Sequence, residues 1–195
     1  MGLFAALLRR KPHERAGFGL YGAAVAAARA PGYFGPGFGV PDTLDGRFDL
    51  IGLHAALLIR RLRRDPDPRG PALAQAVFDA MFADMDQALR EMGVGDLSVG
   101  KRVRRMWEAF HGRARAYEAA LDAGDAEALA VALRRNVWRG EAPGMVGSVP
   151  GEAARRLAAR ALAEDAALAA QSIGVLAEGR VRFLAAPEMD DAPAA

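Results

Sequence analysis

Apolar residues recur along most of this chain at spacings of three and four, the period of helices buried on one side. The pattern is strongest from Asp79 to Leu121. In its first arm Val77, Met81, Met85 and Met92 share a face widened by Phe78, Phe82 and Leu89, while Asp79, Asp86, Arg90 and Glu91 point elsewhere. In its second arm Val99, Val103, Met106, Phe110, Tyr117 and Leu121 repeat, flanked by Lys101, Arg102, Arg104 and Arg105, with Ser98 placed as N-cap. Met92-Gly93-Val94-Gly95-Asp96 between them supplies glycine for a left-handed C-cap, so the two helices are expected to fold back antiparallel. The rest of the chain is expected to pack around this hairpin.

Four further helices follow from the same reading. An alanine-rich stretch from Phe18 to Ala30 ends at Pro31, and the loop from Pro31 to Pro41 holds three aromatics, Tyr33, Phe34 and Phe38, that suit either the core or a partner. Asp42 or Thr43 then caps a helix in which Leu44, Phe48, Ile51, Ala55, Leu58 and Leu62 recur, with Leu50, Leu53 and Leu57 widening the stripe. Such breadth predicts a central helix, covered on more than one side. It ends in Arg60, Arg61, Arg63 and Arg64, and a proline-rich linker from Asp65 to Pro71 breaks the chain. Asp125 caps a shorter helix carrying Leu129, Leu133 and Val137, closed by Trp138. After a flexible connection from Gly140 to Gly151, a last helix is expected from Glu152 to about Leu184, weakened by Gly174 and Gly179.

The fold class is therefore all-α, a single-domain bundle of about six helices. We expect an amphipathic or flexible segment over residues 1–17, the helical domain over 18–185, and a disordered tail over 186–195. Composition supports this: the 195 residues are 52% hydrophobic, abundant in alanine and poor in β-branched residues. With a net charge of +2, attraction to phosphate must come from local clusters. No cysteine is present, which excludes disulfides and thiolate chemistry. The apolar start, Met1 to Leu8, precedes Arg9, Arg10 and Lys11, the reverse of an export signal, and is far shorter than the roughly 20 residues of a membrane span. A short interfacial anchor is one reading of it, and a frayed or docked end is the preferred one.

Several motifs imitate chemistry without its setting. Gly17-Phe18-Gly19-Leu20-Tyr21-Gly22 has the spacing of a dinucleotide fingerprint but no preceding strand. Gly95 to Lys101 imitates a phosphate loop, yet Arg102 stands where a magnesium-binding hydroxyl belongs. Glu108-Ala109-Phe110-His111 is half of a di-iron motif, and His54, set in an apolar helix, reads as a satisfied core histidine. No nucleophile, base and orienting acid converge, so no enzyme, metal or cofactor is expected. Three arginine-rich faces remain: Arg60, Arg61 and Arg64; Lys101, Arg104 and Arg105; and Arg134, Arg135 and Arg139. Each suits anionic lipid, RNA or an acidic protein, against a default of solvated pairs with the chain's own carboxylates.

The stretches GVPDTLDGRFDLIGLH, from Gly39 to His54, and FDAMFADMDQALREMGVGDLSVGKRVRRM, from Phe78 to Met106, closely resemble the ubiquinol–cytochrome c chaperone family. The resemblance implies a non-catalytic assembly factor of the cytochrome bc1 complex that binds newly made cytochrome b. It also implies work near the ribosome with a small helical co-chaperone, and a cytoplasmic place with peripheral contact at the inner membrane; it implies no DNA. Carried onto this sequence, the motif marks Pro41, Asp42, Asp45, Arg47 and Phe48 at one helix entrance. Around the hairpin turn it marks Asp84, Asp86, Arg90, Asp96 and Lys101, and with the adjacent Arg104 and Arg105 these are the candidate partner surface. The alternative is a peripheral adaptor that binds anionic lipid or ribosomal RNA through its basic faces.

Overall fold

The computed structural model describes residues 12–139 and 150–188. The leading segment 1–11, the connection 140–149 and the tail 189–195 lie outside the described residues. Seven α-helices occur among those described: α1 Pro12–Ala28, α2 Leu44–Arg63, α3 Arg69–Glu91, α4 Asp96–Ala123, α5 Ala126–Val137, α6 Pro150–Ala169 and α7 Ile173–Ala177, with a 3-10 turn at Pro31–Tyr33. The all-α class is as expected, and no described helix is long and apolar enough to cross a membrane.

The centre of the bundle is α2, not the α3–α4 hairpin. It packs against α1, α3, α4, α5 and α6, whereas α3 lies most extensively on α1. The reason is in its stripe: Leu50, Leu53, Leu57, Leu58 and Leu62 are all buried, each worth about 1.5–3 kcal/mol of transfer free energy, and they point to several sides. Thr43 caps α2 by accepting the Gly46 N–H at 3.1 Å, and Arg60, Arg61 and Arg63 oppose its C-terminal dipole. Asp125 caps α5 in the same way, from the Ala128 N–H at 2.9 Å.

Three local expectations are corrected. Ser98 is not an N-cap: Gly95 holds that position with no side-chain bond, and Gly93, at φ +77°, makes the left-handed turn. The last helix does not run to Leu184. It stops at Ala169 because Ser172 caps the separate α7 and Gly179, at φ +78°, turns the chain into an extended segment. That segment is tied to α6 by the buried Glu164, which accepts the Leu184 N–H at 3.0 Å, and Pro187 is buried against Gly32. Finally, α1 begins at Pro12 rather than Phe18. Its Gly17 serves close helix approach, since a Cβ there would lie 2.6 Å from the Ala76 backbone on α3, and Gly19 approaches Gly179 similarly.

The loop aromatics fold onto the core. Tyr33 and Phe38 are buried edge to face, 5.3 Å apart, and the Tyr33 hydroxyl meets His54 Nε2 at 3.2 Å and accepts from Arg160 Nε at 2.7 Å. His54 Nδ1 lies 2.8 Å from the Leu50 carbonyl, so it donates there and Nε2 accepts. Burial holds this imidazole neutral, with its pKa lowered to about 4.

Candidate functional site

At one end of the bundle the helices leave a groove of about 880 Å³. Its walls are the C-terminal part of α3 and the first half of α4; the start of α2 lies across its base and the end of α1 closes one side. The two walls are pinned together farther from their turn, where Phe78 and Phe82 meet Phe110 at 6.0 and 6.4 Å between ring centres. Nearer the turn the floor is apolar: Phe48 and Ile51 from α2, Met85 and Leu89 from α3, and Met106 from α4. Leu44, 68% exposed, forms the lip. Met85 and Leu89 are buried within that floor, whereas Phe48, Ile51 and Met106 are only partly covered by the chain, which marks a place for something else to bind.

The rim is cationic. Lys101, Arg102 and Arg105 project from α4 and Arg29 from the end of α1, and none has an ion-pair partner among the described residues. Two further arginines are neutralised. Arg113 donates to the buried Asp49 carboxylate, and Arg139 lies 3.2 Å from Asp45 and 3.5 Å from the second Asp49 oxygen. That oxygen, Oδ2, is buried with no hydrogen-bond partner among the described residues. Desolvation outweighs both arginines and pushes the Asp49 carboxyl up to about 6. Arg139 holds its place at φ +54°, a left-handed conformation uncommon for a side-chain-bearing residue.

On the opposite wall Tyr21 donates to Asp84 at 2.7 Å and joins α1 to α3. Burial first, then Asp84, raises the Tyr21 phenol well above its ordinary range, which keeps it a donor.

Of the residues marked from sequence, the groove brings together Asp45, Phe48, Asp84, Lys101 and Arg105. Pro41, Asp42, Arg47, Asp86, Arg90 and Arg104 lie off it. Pro41 supplies the turn before α2, where its carbonyl packs on Gly46. Asp42 pairs with Arg47 at 2.6 Å, which lowers the Asp42 carboxyl, and Arg47 also sits 5.8 Å over the Phe34 ring. Asp86 pairs with Arg90 at 2.6 Å and Arg104 with Glu108 at 3.1 Å, each within one helix. Asp96 is the first residue of α4.

The face of Arg60, Arg61 and Arg64 is spent inside the chain. Arg60 bonds Asp122 and Asp165, Arg61 bonds Asp65 and the Leu168 and Gln171 carbonyls, and Arg64 shares Asp122. Glu108 and His111 do not meet as a ligand pair: the first holds Arg104, and the second stacks on Trp107 at 4.0 Å.

Sequence reasoning missed Tyr21, Arg29, Asp49 and Arg113 as site residues, and placed Ile51 only in the stripe of α2 and Arg139 only in a separate arginine-rich face. A signal existed for one of them. Asp49 stands between Phe48 and Leu50 in the apolar stripe, where a carboxylate must be paired to be tolerated.

Residues 37–183 match the ubiquinol-cytochrome C chaperone family. The solved structure of the Cbp3 homolog from Brucella abortus is similar, with a TM-score of 0.75 at 37% identity, over 93% of this chain and 97% of that one. A comparison with curated proteins gave no match. With the match spanning most of the described helices and the fold shared over nearly the full length, this chain belongs to the ubiquinol-cytochrome C chaperone family.

Proposed function

We propose that this protein is a non-catalytic assembly chaperone that binds newly made cytochrome b and promotes assembly of the cytochrome bc1 complex, with the α3–α4 groove as its client site. The observation that carries this reading is the groove itself, an apolar floor recessed below a cationic rim. A chaperone for a membrane protein must shield apolar segment without entering the bilayer, and a recessed floor does so. Met85 and Met106 make part of that floor adaptable, because an unbranched thioether repacks at low cost. The ribosome, a small helical co-chaperone and the inner membrane enter this reading as further partners through family likeness.

The test is site-specific photocrosslinking in cells that make cytochrome b. A photoreactive residue at Leu44, on the lip, is expected to give a cytochrome b adduct. The same residue at Val131, 59% exposed on α5 and away from the groove, is expected to give none. Equal adducts from both positions, or none from Leu44, contradict the proposal.

The adaptor reading keeps one observation in its favour, the rim cations that have no ion-pair partner among the described residues. Salt-sensitive binding to anionic vesicles or RNA with no cytochrome b adduct would favour it.

A further inference from the structure

The groove is asymmetric in charge, and the asymmetry defines what it takes. Lys101, Arg102 and Arg105 fall within little more than one turn of α4, are all exposed, and have no ion-pair partner among the described residues. The facing side offers a carboxylate, Asp84, held by Tyr21, with one cation, Arg29, beside it. An occupant with carboxylates along one edge is drawn more strongly to the three cations of the first wall than to the second, where Asp84 offsets the single cation Arg29, so one orientation is favoured.

The volume admits a short helical segment. A helix 10–12 Å across that rises 1.5 Å per residue occupies roughly 140 Å³ per residue, so about 880 Å³ seats on the order of six residues, between one and two turns. Carboxylates three or four residues apart on such a helix lie on one face, at the pitch over which Lys101 and Arg105 are presented.

Concavity argues against a bilayer, whose flat surface meets the rim without reaching Ile51 or Met106 on the floor. Single-stranded RNA takes stacking platforms, but of the two aromatics here Phe48 is part of the floor and Tyr21 is fixed to Asp84.

We infer that the groove selects an amphipathic helical segment of its client whose apolar face is bordered on the α4 side by carboxylates. This rests on the reading of the groove as client site and specifies the chemistry that site recognises.

The test uses the full-length chain and three fluorescent peptides of one apolar face, edged with glutamate, glutamine or lysine. Anisotropy titrations at low salt are expected to show the glutamate peptide binding on the order of tenfold tighter than the glutamine one, as three rim-exposed charge pairs would give, with the advantage shrinking in salt. The double variant Arg102→Glu/Arg105→Glu is expected to prefer the lysine peptide, a gain that only a folded protein shows. Arg134→Glu/Arg135→Glu, on exposed positions of α5, is expected to keep the glutamate preference.

Equal affinity for all three peptides overturns the inference, as does a preference that Arg102→Glu/Arg105→Glu leaves unchanged. Cosedimentation with phosphatidylglycerol vesicles, or binding of an RNA oligomer, without peptide binding overturns it in favour of the adaptor. A Leu44 adduct with cytochrome b alongside absent charge selection removes this inference alone, whereas loss of that adduct removes the wider reading.

Discussion

Arg113, on α4, reaches across to the fully buried carboxylate of Asp49 on α2, 64 positions earlier in the chain. The pair ties the middle of α4 to the early part of α2, at the edge of the groove that Arg113 lines. Arg113→Ala leaves a buried carboxylate facing only the more distant Arg139. The expected cost is about 3–5 kcal/mol, read as a lower denaturation midpoint with little change in slope. Asp49→Asn/Arg113→Gln, which removes both charges, is expected to cost less than Arg113→Ala alone. Strictly additive losses would show that the pair carries no coupling.

Asp49 and His54, one helical turn and a half apart on α2, oppose one another in acid. The Asp49 carboxyl is raised from near 3.8 to about 6, so the folded state binds the extra proton in that window and stability falls as pH rises through it. The His54 imidazole is lowered from 6.5 to about 4, so the unfolded state binds the extra proton and stability rises with pH over nearly the same window. Each effect is about 3 kcal/mol, and in the wild type they largely cancel. His54→Gln is therefore expected to lose stability from pH 4 to 6, and Asp49→Asn to gain it from pH 4 to 6.5. Urea unfolding at several pH values reads both slopes, and identical pH profiles in the two variants would refute the assignment.

Two glycines of α1 separate packing from propensity. Gly17→Ala forces a methyl to within 2.6 Å of the Ala76 backbone and is expected to cost about 1–3 kcal/mol. Gly22→Ala meets nothing within 4 Å and is expected to stabilise by about 0.5–1 kcal/mol through helix preference alone. Thermal unfolding of the two variants should shift in opposite directions. A stabilised Gly17→Ala would mean that α1 and α3 stand farther apart.

What was legible in the sequence was local. The period of α2, its cap, read as Asp42 or Thr43 and supplied by Thr43, the Asp125 cap, and the glycine turn within Met92–Asp96, made by Gly93, each depend on residues within a few positions. Ser98 misled because cap preference says which residue suits a helix start, whereas the extended backbone at Gly95 decides where the start is. The end of the last helix misled because alanine favours continuing it, while Ser172 and Gly179 offer a tertiary alternative on α1.

The groove was half legible. Phe48, Lys101 and Arg105 stand in the stretches that carry the family resemblance, but Tyr21 and Arg29 join them only because α1 packs on α3. Nothing in either helix's own period announces that pairing. The same holds for Met85, which periodicity places in the core and the fold places both in the core and under the groove.

The central claim is that this protein acts on cytochrome b after its synthesis. The direct measurement is the content of haem-loaded cytochrome b, by reduced-minus-oxidised difference spectra and immunoblot, in cells lacking the gene and in cells complemented with it. We predict loss of cytochrome b with its transcript intact, restored by the wild-type gene and poorly restored by Arg102→Glu/Arg105→Glu. Unchanged cytochrome b in the deletion strain would contradict the chaperone reading.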